Sequence, residues 1–152
     1  VRYFPEAFGS SYDFGVYRAD LRRYVTLFDT HVLALRGRYA GSWGTVPFQF
    51  LPSIGGDGNV RGVLEQRYRD DAAGAIQAEY RLPLTKRFGV TGFVSAAQVG
   101  ESALDFDLSD PVFAGGIGFR VALNTEQKLN LRIDLAFSEM GASPYVNMME
   151  AY

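Results

Sequence analysis

Leu129-Asn130-Leu131-Arg132-Ile133-Asp134-Leu135-Ala136-Phe137-Ser138 is the stretch whose reading decides the fold. Leu129, Leu131, Ile133, Leu135 and Phe137 fall on one side, and Asn130, Arg132, Asp134, Ala136 and Ser138 on the other. Strict alternation is the signature of a β-strand, whose successive side chains point to opposite faces. No helical period fits these residues. The surrounding run from Lys128 to Glu139 exceeds the ~5–6 residues usual in a globular sheet and suits the ~9–11 that a tilted membrane strand requires.

The same pattern recurs along the chain. Val1 to Phe8, interrupted by Pro5, reads as an edge or end strand, and Tyr12 to Val25 as a long one. In the latter Tyr17, Ala19, Leu21 and Val25 oppose Arg18, Asp20, Arg22 and Tyr24, while Arg23 breaks the apolar face. Thr30 to Gly41 sets Leu33, Leu35 and Tyr39 against Ala34, Arg36 and Arg38. Gly74 to Leu84 sets Ile76, Ala78, Tyr80 and Leu82 against Gln77, Glu79 and Arg81. Phe88 to Val99, Val112 to Leu123 and a closing Tyr145 to Tyr152 complete about eight predicted strands. Turns near Asp29, Lys86 and Asn124 are short, whereas the connections at Ser42–Asp71, Glu101–Pro111 and Gly141–Pro144 are longer. Short turns on one rim and long loops on the other are characteristic of a transmembrane barrel.

One face of these strands gathers Asp20, Arg22, Arg36, Glu79, Arg81, Arg120, Arg132 and Asp134. On a two-sheet sandwich they would be ordinary surface charges. The opposite face is aliphatic and aromatic on nearly every strand, with Tyr17, Tyr39, Tyr80, Phe119 and Phe137 as candidate girdle residues. An ion-paired lumen with an apolar outside explains every strand by one rule. The expected fold is therefore all-β: an antiparallel transmembrane β-barrel of about eight strands, forming one domain over residues 1–152.

Composition agrees. Aromatic residues make up 14% of the chain and glycines number 17, a combination suited to an all-β protein rich in turns. The formal charge of -2 gives no reason to expect nucleic acid. The chain has no cysteine, which excludes disulfides and thiolate metal sites. His31 is the single histidine and sits near a turn, and Ser42 and Ser53 have no histidine nearby in sequence, so catalysis has little support. Asp105, Asp107 and Asp110 lack the full ligand spacing of a calcium loop. No catalytic residue, metal or cofactor is expected.

The longest connection carries the one conspicuous motif, Ile54-Gly55-Gly56-Asp57-Gly58-Asn59-Val60-Arg61-Gly62. Its glycines permit backbone conformations closed to other residues, and its single cation is Arg61. It has no GK[ST] ending, so it is not a phosphate loop. A mobile surface loop is the plain alternative.

Pro47-Phe48, Ile54-Gly55-Gly56 and Val60-Arg61-Gly62 together resemble the "PF…LGG…(V/L)RG(Y/F)" signature of the BamA-like bacterial surface-antigen superfamily. Glu79-Tyr80-Arg81-Leu82-Pro83-Leu84 is similar to its "EYRxPL" strand, Gly115–Arg120 to "GGIGxR", Leu129–Ser138 to "LxLRxDxAxS", and Asp20 with Arg22-Arg23-Tyr24 to "DxRxY". The resemblance runs over essentially the whole chain and matches the C-terminal half of full members, which carry more strands behind periplasmic domains. It implies an outer-membrane barrel of the kind found in protein assembly and translocation factors, here without those periplasmic domains. Its surroundings would be outer-membrane lipid, and its partners a second copy of the chain or client β-strands. The alternative is a small structural or ligand-binding β-barrel without assembly activity.

The resemblance also implies that the loop folds into the lumen, where Arg61 meets Glu79 and Gly55, Gly56 and Gly62 shape the approach. Two motifs depart from the pattern. Ser95 and Ala97 stand where the family's "GFxDxG" strand has aspartate and glycine, leaving Asp134 or Asp20 to supply a second anionic contact. Val63 stands where the motif ends in an aromatic residue.

Overall fold

The computed structural model describes residues 1–4, 13–102, 111–124 and 129–148. The chain is all-β, and its main body is one antiparallel sheet of eight strands. In chain order the strands are β1 (Arg2–Phe4), β2 (Phe14–Leu27), β3 (His31–Gly44), β4 (Ser53–Ile54), β5 (Tyr68–Arg69), β6 (Ala72–Pro83), β7 (Phe88–Gly100), β8 (Val112–Asn124), β9 (Leu129–Ser138) and β10 (Gly141–Asn147). The sheet runs β1-β2-β3-β6-β7-β8-β9-β10, each strand beside its neighbours in sequence, while β4 and β5 form a separate ribbon within the long loop. Among the described residues β1 and β10 do not pair with each other, so the sheet is open along these two edges.

The register carries the alternation of each strand across the whole sheet. Leu21, Gly37, Ile76, Ala96 and Phe113 form one row of the outer face. Ala34, Glu79, Phe93, Gly116 and Ala136 form one row of the inner face. Burial separates the two faces sharply: Ile76 and Ile117 are each 66% exposed, whereas Glu79 is 0% and Asp134 1% exposed. The inner row consists largely of small residues, which leaves room for the loop to lie against it.

β3 and β6 extend further into the long connection than the sequence suggests. β3 continues to Gly44 and β6 begins at Ala72, because Phe14↔Gly44 and Gly41↔Ala72 extend the ladders. The segment Gly141–Pro144, expected as a loop, is instead the first half of β10. Gly141 turns the chain with φ +99, a left-handed value that suits glycine. The ladder to β9 then runs from Gly141↔Ser138 to Asn147↔Arg132. Pro144 is accommodated because β10 is an edge, where a missing N–H breaks no second ladder. The expected turn at Asn124–Gln127 and the acidic loop with Asp105, Asp107 and Asp110 lie largely or wholly outside the described residues.

The loop between β3 and β6 supplies the core on the inner face. Ile54, Val60 and Val63 pack with Ala73, Ala97 and Ala114. Ser42 closes its base, with N–H and Oγ both donating to the Asp71 carbonyl at 2.8 and 3.0 Å. The Phe14 and Phe50 rings meet tilted at 40° with centres 5.3 Å apart, and the Arg69 guanidinium lies 4.4 Å from the Phe48 ring.

Candidate functional site in the concave face

The loop tip is a compact fold of its own. Gly56 N–H donates to the Val63 carbonyl at 2.9 Å and Asn59 N–H to the Gly56 carbonyl at 3.1 Å. Gly55, Gly56 and Gly62 hold φ of +105, +83 and +97. At Gly55 a Cβ would also come within 2.2 Å of the Leu64 carbonyl oxygen, so neither backbone nor space admits another residue. This geometry aims Arg61 at the sheet.

Arg61 is wholly buried. Its Nη2 donates to Glu79 on β6, and its Nη1 to Asp134 Oδ2 on β9 at 2.5 Å. Its guanidinium carbon stands 3.6 Å from the centre of the Phe93 ring. Paired carboxylates and an aromatic face are what a desolvated guanidinium requires. The structure thus brings together Arg61 and Glu79, with Asp134 as the second anionic contact where Ser95 carries none. Ser95 instead donates its hydroxyl to the Ala114 carbonyl at 3.3 Å.

Three further cations surround these two carboxylates. Arg81 Nε donates to Glu79 Oε1 at 2.8 Å, Arg120 Nη1 to Asp134 Oδ1 at 2.5 Å, and Arg132 Nε stands 3.3 Å from Asp134 Oδ2. Four guanidinium groups against two carboxylates leave an excess of positive charge. The loop supplies a third carboxylate that offsets part of it, since Asp57 accepts from Arg132 through Oδ1 and from Asn147 Nδ2 through Oδ2 at 3.0 Å.

The remaining sequence-predicted charges form a separate cluster. Asp20 accepts from Arg22 at 2.9 Å and from Arg36 at 2.6 Å, and Arg38 Nε lies 3.8 Å away. It is paired within β2 and β3 and makes no ion pair with Arg61 among the described residues. Arg36 and Arg38 also donate to the Gly58 carbonyl at 3.0 and 2.7 Å. The loop tip is therefore held to β3 at one side of the sheet and to β10 at the other.

Several residues of this site have roles that the sequence did not disclose. Gly62 N–H donates to Tyr145 Oη at 2.9 Å, and Ser138 Oγ donates to the Gly62 carbonyl at 2.6 Å. Gly116 and Gly118 make the space: a Cβ on Gly118 would come within 2.1 Å of Asp134 Oδ1, and one on Gly116 within 2.6 Å of the Phe93 ring. Val63, in place of an aromatic residue, is buried in the loop core. Asp57 is the only acidic residue between Leu51 and Leu64, which is the one signal that could have singled it out.

His31 opens β3, where its ring meets Tyr80 edge to face, with a hydrogen bond between Nδ1 and the phenol. Ser42 donates to Asp71 at the loop base, and the carbonyl of Ser53 accepts from Asn59. No known family and no curated protein matches the chain.

Proposed function

We propose that the chain is a bacterial outer-membrane β-barrel protein resembling the barrel of assembly and translocation factors, with the loop serving as an internal lock through Arg61. The observation that carries this reading is the outer face. Leu21, Leu35, Ile76, Val94, Phe113 and Ile117 are exposed there with no covering layer. Aromatic groups flank this band at both rims: Tyr3, Tyr17, Tyr39 and Trp43 towards the long loop, and Phe28, His31, Tyr80, Phe88 and Phe119 towards the short turns. From Tyr17 to Phe28 the chain spans roughly 36 Å along the strand. A tilt of about 40° reduces this to roughly 28 Å of height, close to the ~25 Å apolar band of outer-membrane barrels. An apolar patch of this extent in water would be an aggregation surface, and in lipid it is the required one.

In this reading the edges β1 and β10 are the seam. Through this seam the sheet would close either on itself or onto a strand of a second copy or a client, since an edge able to accept another strand is a pairing surface. The loop and its ion pairs fill the interior, so the protein is a plugged barrel and not an open pore. Purification tests the membrane assignment. The chain should need detergent to stay dispersed and should insert into lipid vesicles, and a monodisperse chain in plain buffer overturns the reading. Its mass in detergent separates a closed monomer from a pair. Assembly activity predicts that vesicles carrying the chain fold a client barrel faster than empty ones.

A second reading, a structural or ligand-binding barrel without assembly activity, is favoured by one observation. A cavity of about 420 Å³ lies between the loop tip and the inner faces of β2, β3 and β6. Unchanged client folding together with saturable binding of a small polar ligand would favour it.

A further inference from the structure

The outer face is not uniformly apolar. Arg23 lies on it, opposite Leu35 of β3 and between Leu21 and Val25 along β2. It is exposed, and among the described residues its side chain has neither an ion pair nor a hydrogen bond. A lipid-facing arginine in the half of the apolar band nearer the short turns is unfavourable unless its charge finds a partner or reaches the interface. Arg22, its neighbour in sequence, points inward and is paired with Asp20. The alternation therefore places one cation outward in a region where every strand otherwise presents apolar groups.

Beside Arg23 the outer face is grooved. Gly37, Ala78 and Ala96 form a floor of small residues across β3, β6 and β7, and Leu21, Ile76, Val94 and Phe113 rise around it. The groove holds about 630 Å³ and adjoins a second of about 380 Å³ that shares Leu21, Gly37 and Ile76. An apolar trough ending at an unpaired guanidinium matches a molecule with a long hydrocarbon tail and an anionic head. Arg23 lies towards the short turn at Phe28–Thr30, and Lys86 and Arg87 occupy the next short turn on the same rim. Short turns face the periplasmic side of such barrels, where the leaflet is phospholipid.

We propose that this groove is a binding site for an anionic phospholipid, its acyl chain along Gly37, Ala78 and Ala96 and its phosphate on Arg23. The proposal rests on the membrane reading above and adds a specific lipid site to it. Juxtaposed basic side chains near a bilayer surface favour anionic lipids modestly, so the preference due to Arg23 should be roughly fivefold.

The test uses the full chain inserted into vesicles of phosphatidylcholine alone or mixed with phosphatidylglycerol, then extracted in mild detergent. Lipid retained by the protein is counted by native mass spectrometry. The wild-type chain should insert into both vesicles and retain phosphatidylglycerol roughly fivefold over its share of the mixture. Arg23→Gln should insert equally well and lose the preference. Gly37→Leu fills the floor where a Cβ meets nothing within 4 Å, so it should fold normally and retain neither lipid. Insertion without preference in the wild type, or a preference unchanged by Arg23→Gln, overturns the site and leaves the membrane reading standing. Failure to insert into either vesicle overturns both.

Discussion

Arg61 and Asp134 lie 73 residues apart in sequence and meet at 2.5 Å in a region with no solvent access. The pair ties the loop tip to β9, and the same carboxylate holds Arg120 of β8 through its other oxygen. Removing that carboxylate is therefore worse than removing Arg61. Without Asp134, the cations Arg61, Arg81, Arg120 and Arg132 face only Glu79 and Asp57. Without Arg61, three cations still face three carboxylates. Asp134→Asn is expected to cost about 3–5 kcal/mol, the usual penalty for breaking a buried pair from one side. Arg61→Ala is expected to cost less in stability and to open Gly55–Gly62 to protease. Urea unfolding in a fixed detergent, with cleavage mapping, checks both. An Arg61→Ala variant less stable than Asp134→Asn would contradict the charge balance argued here.

Gly118 and Gly37 occupy the inner and outer faces of the sheet, and alanine should distinguish them. At Gly118 the added methyl collides with Asp134, Arg120 and Thr91, whereas at Gly37 it enters open space. Gly118→Ala should lose about 1–3 kcal/mol by overpacking the buried charge cluster. Gly37→Ala should stay within about 0.5 kcal/mol of the wild type. Equal effects at the two positions would mean that the faces are wrongly assigned.

Two hydrogen bonds couple the loop to the edge strand β10, one from Gly62 N–H to Tyr145 and one from Asn147 to Asp57. The edge has a ladder on one side only, so these bonds should matter to its dynamics more than to global stability. Tyr145→Phe removes an acceptor and leaves the Gly62 N–H unpaired, a loss of about 1–3 kcal/mol if it stays buried. Amide exchange within β10 should accelerate in Tyr145→Phe and in Asp57→Ala, while β6 and β7 remain protected. Uniform acceleration across the sheet would show that the contacts are only part of a general stabilising network.

The strands were legible because alternation was nearly unbroken from Gly74 to Leu84 and from Leu129 to Ser138, and side-chain period fixes which face each residue takes. The same alternation places Glu79 on the inner face, while its pairing with Arg61 is implied by the family resemblance and not by the period. Asp134 could be named only as one of two candidates, because sequence gives the face of a residue and not its distance across the sheet. Tyr145 and Asn147 were missed for a definite cause: reading Gly141–Pro144 as a loop removed the register that places them opposite Asp134 and Arg132. Asp57 was missed because loop residues follow no period. The roles of Gly116 and Gly118 depend on what lies above them, and a side chain's absence leaves no periodic trace.

Tyr68 offers a pH-dependent contact at the base of the loop. Its phenol donates to the Glu139 carboxylate in the β9–β10 turn. That bond to a carboxylate holds the phenol above its ordinary value of 10.0. Raised in the folded state, the group contributes its stabilisation fully below about pH 10 and loses it as pH rises through the folded-state value. Protease access to the loop should thus increase in that alkaline window, in step with the tyrosinate absorbance of Tyr68. Tyr68→Phe should show the increased access already at neutral pH and no further step above pH 10 from this contact. An alkaline step of the same size in the wild type and Tyr68→Phe would assign it to groups other than this contact.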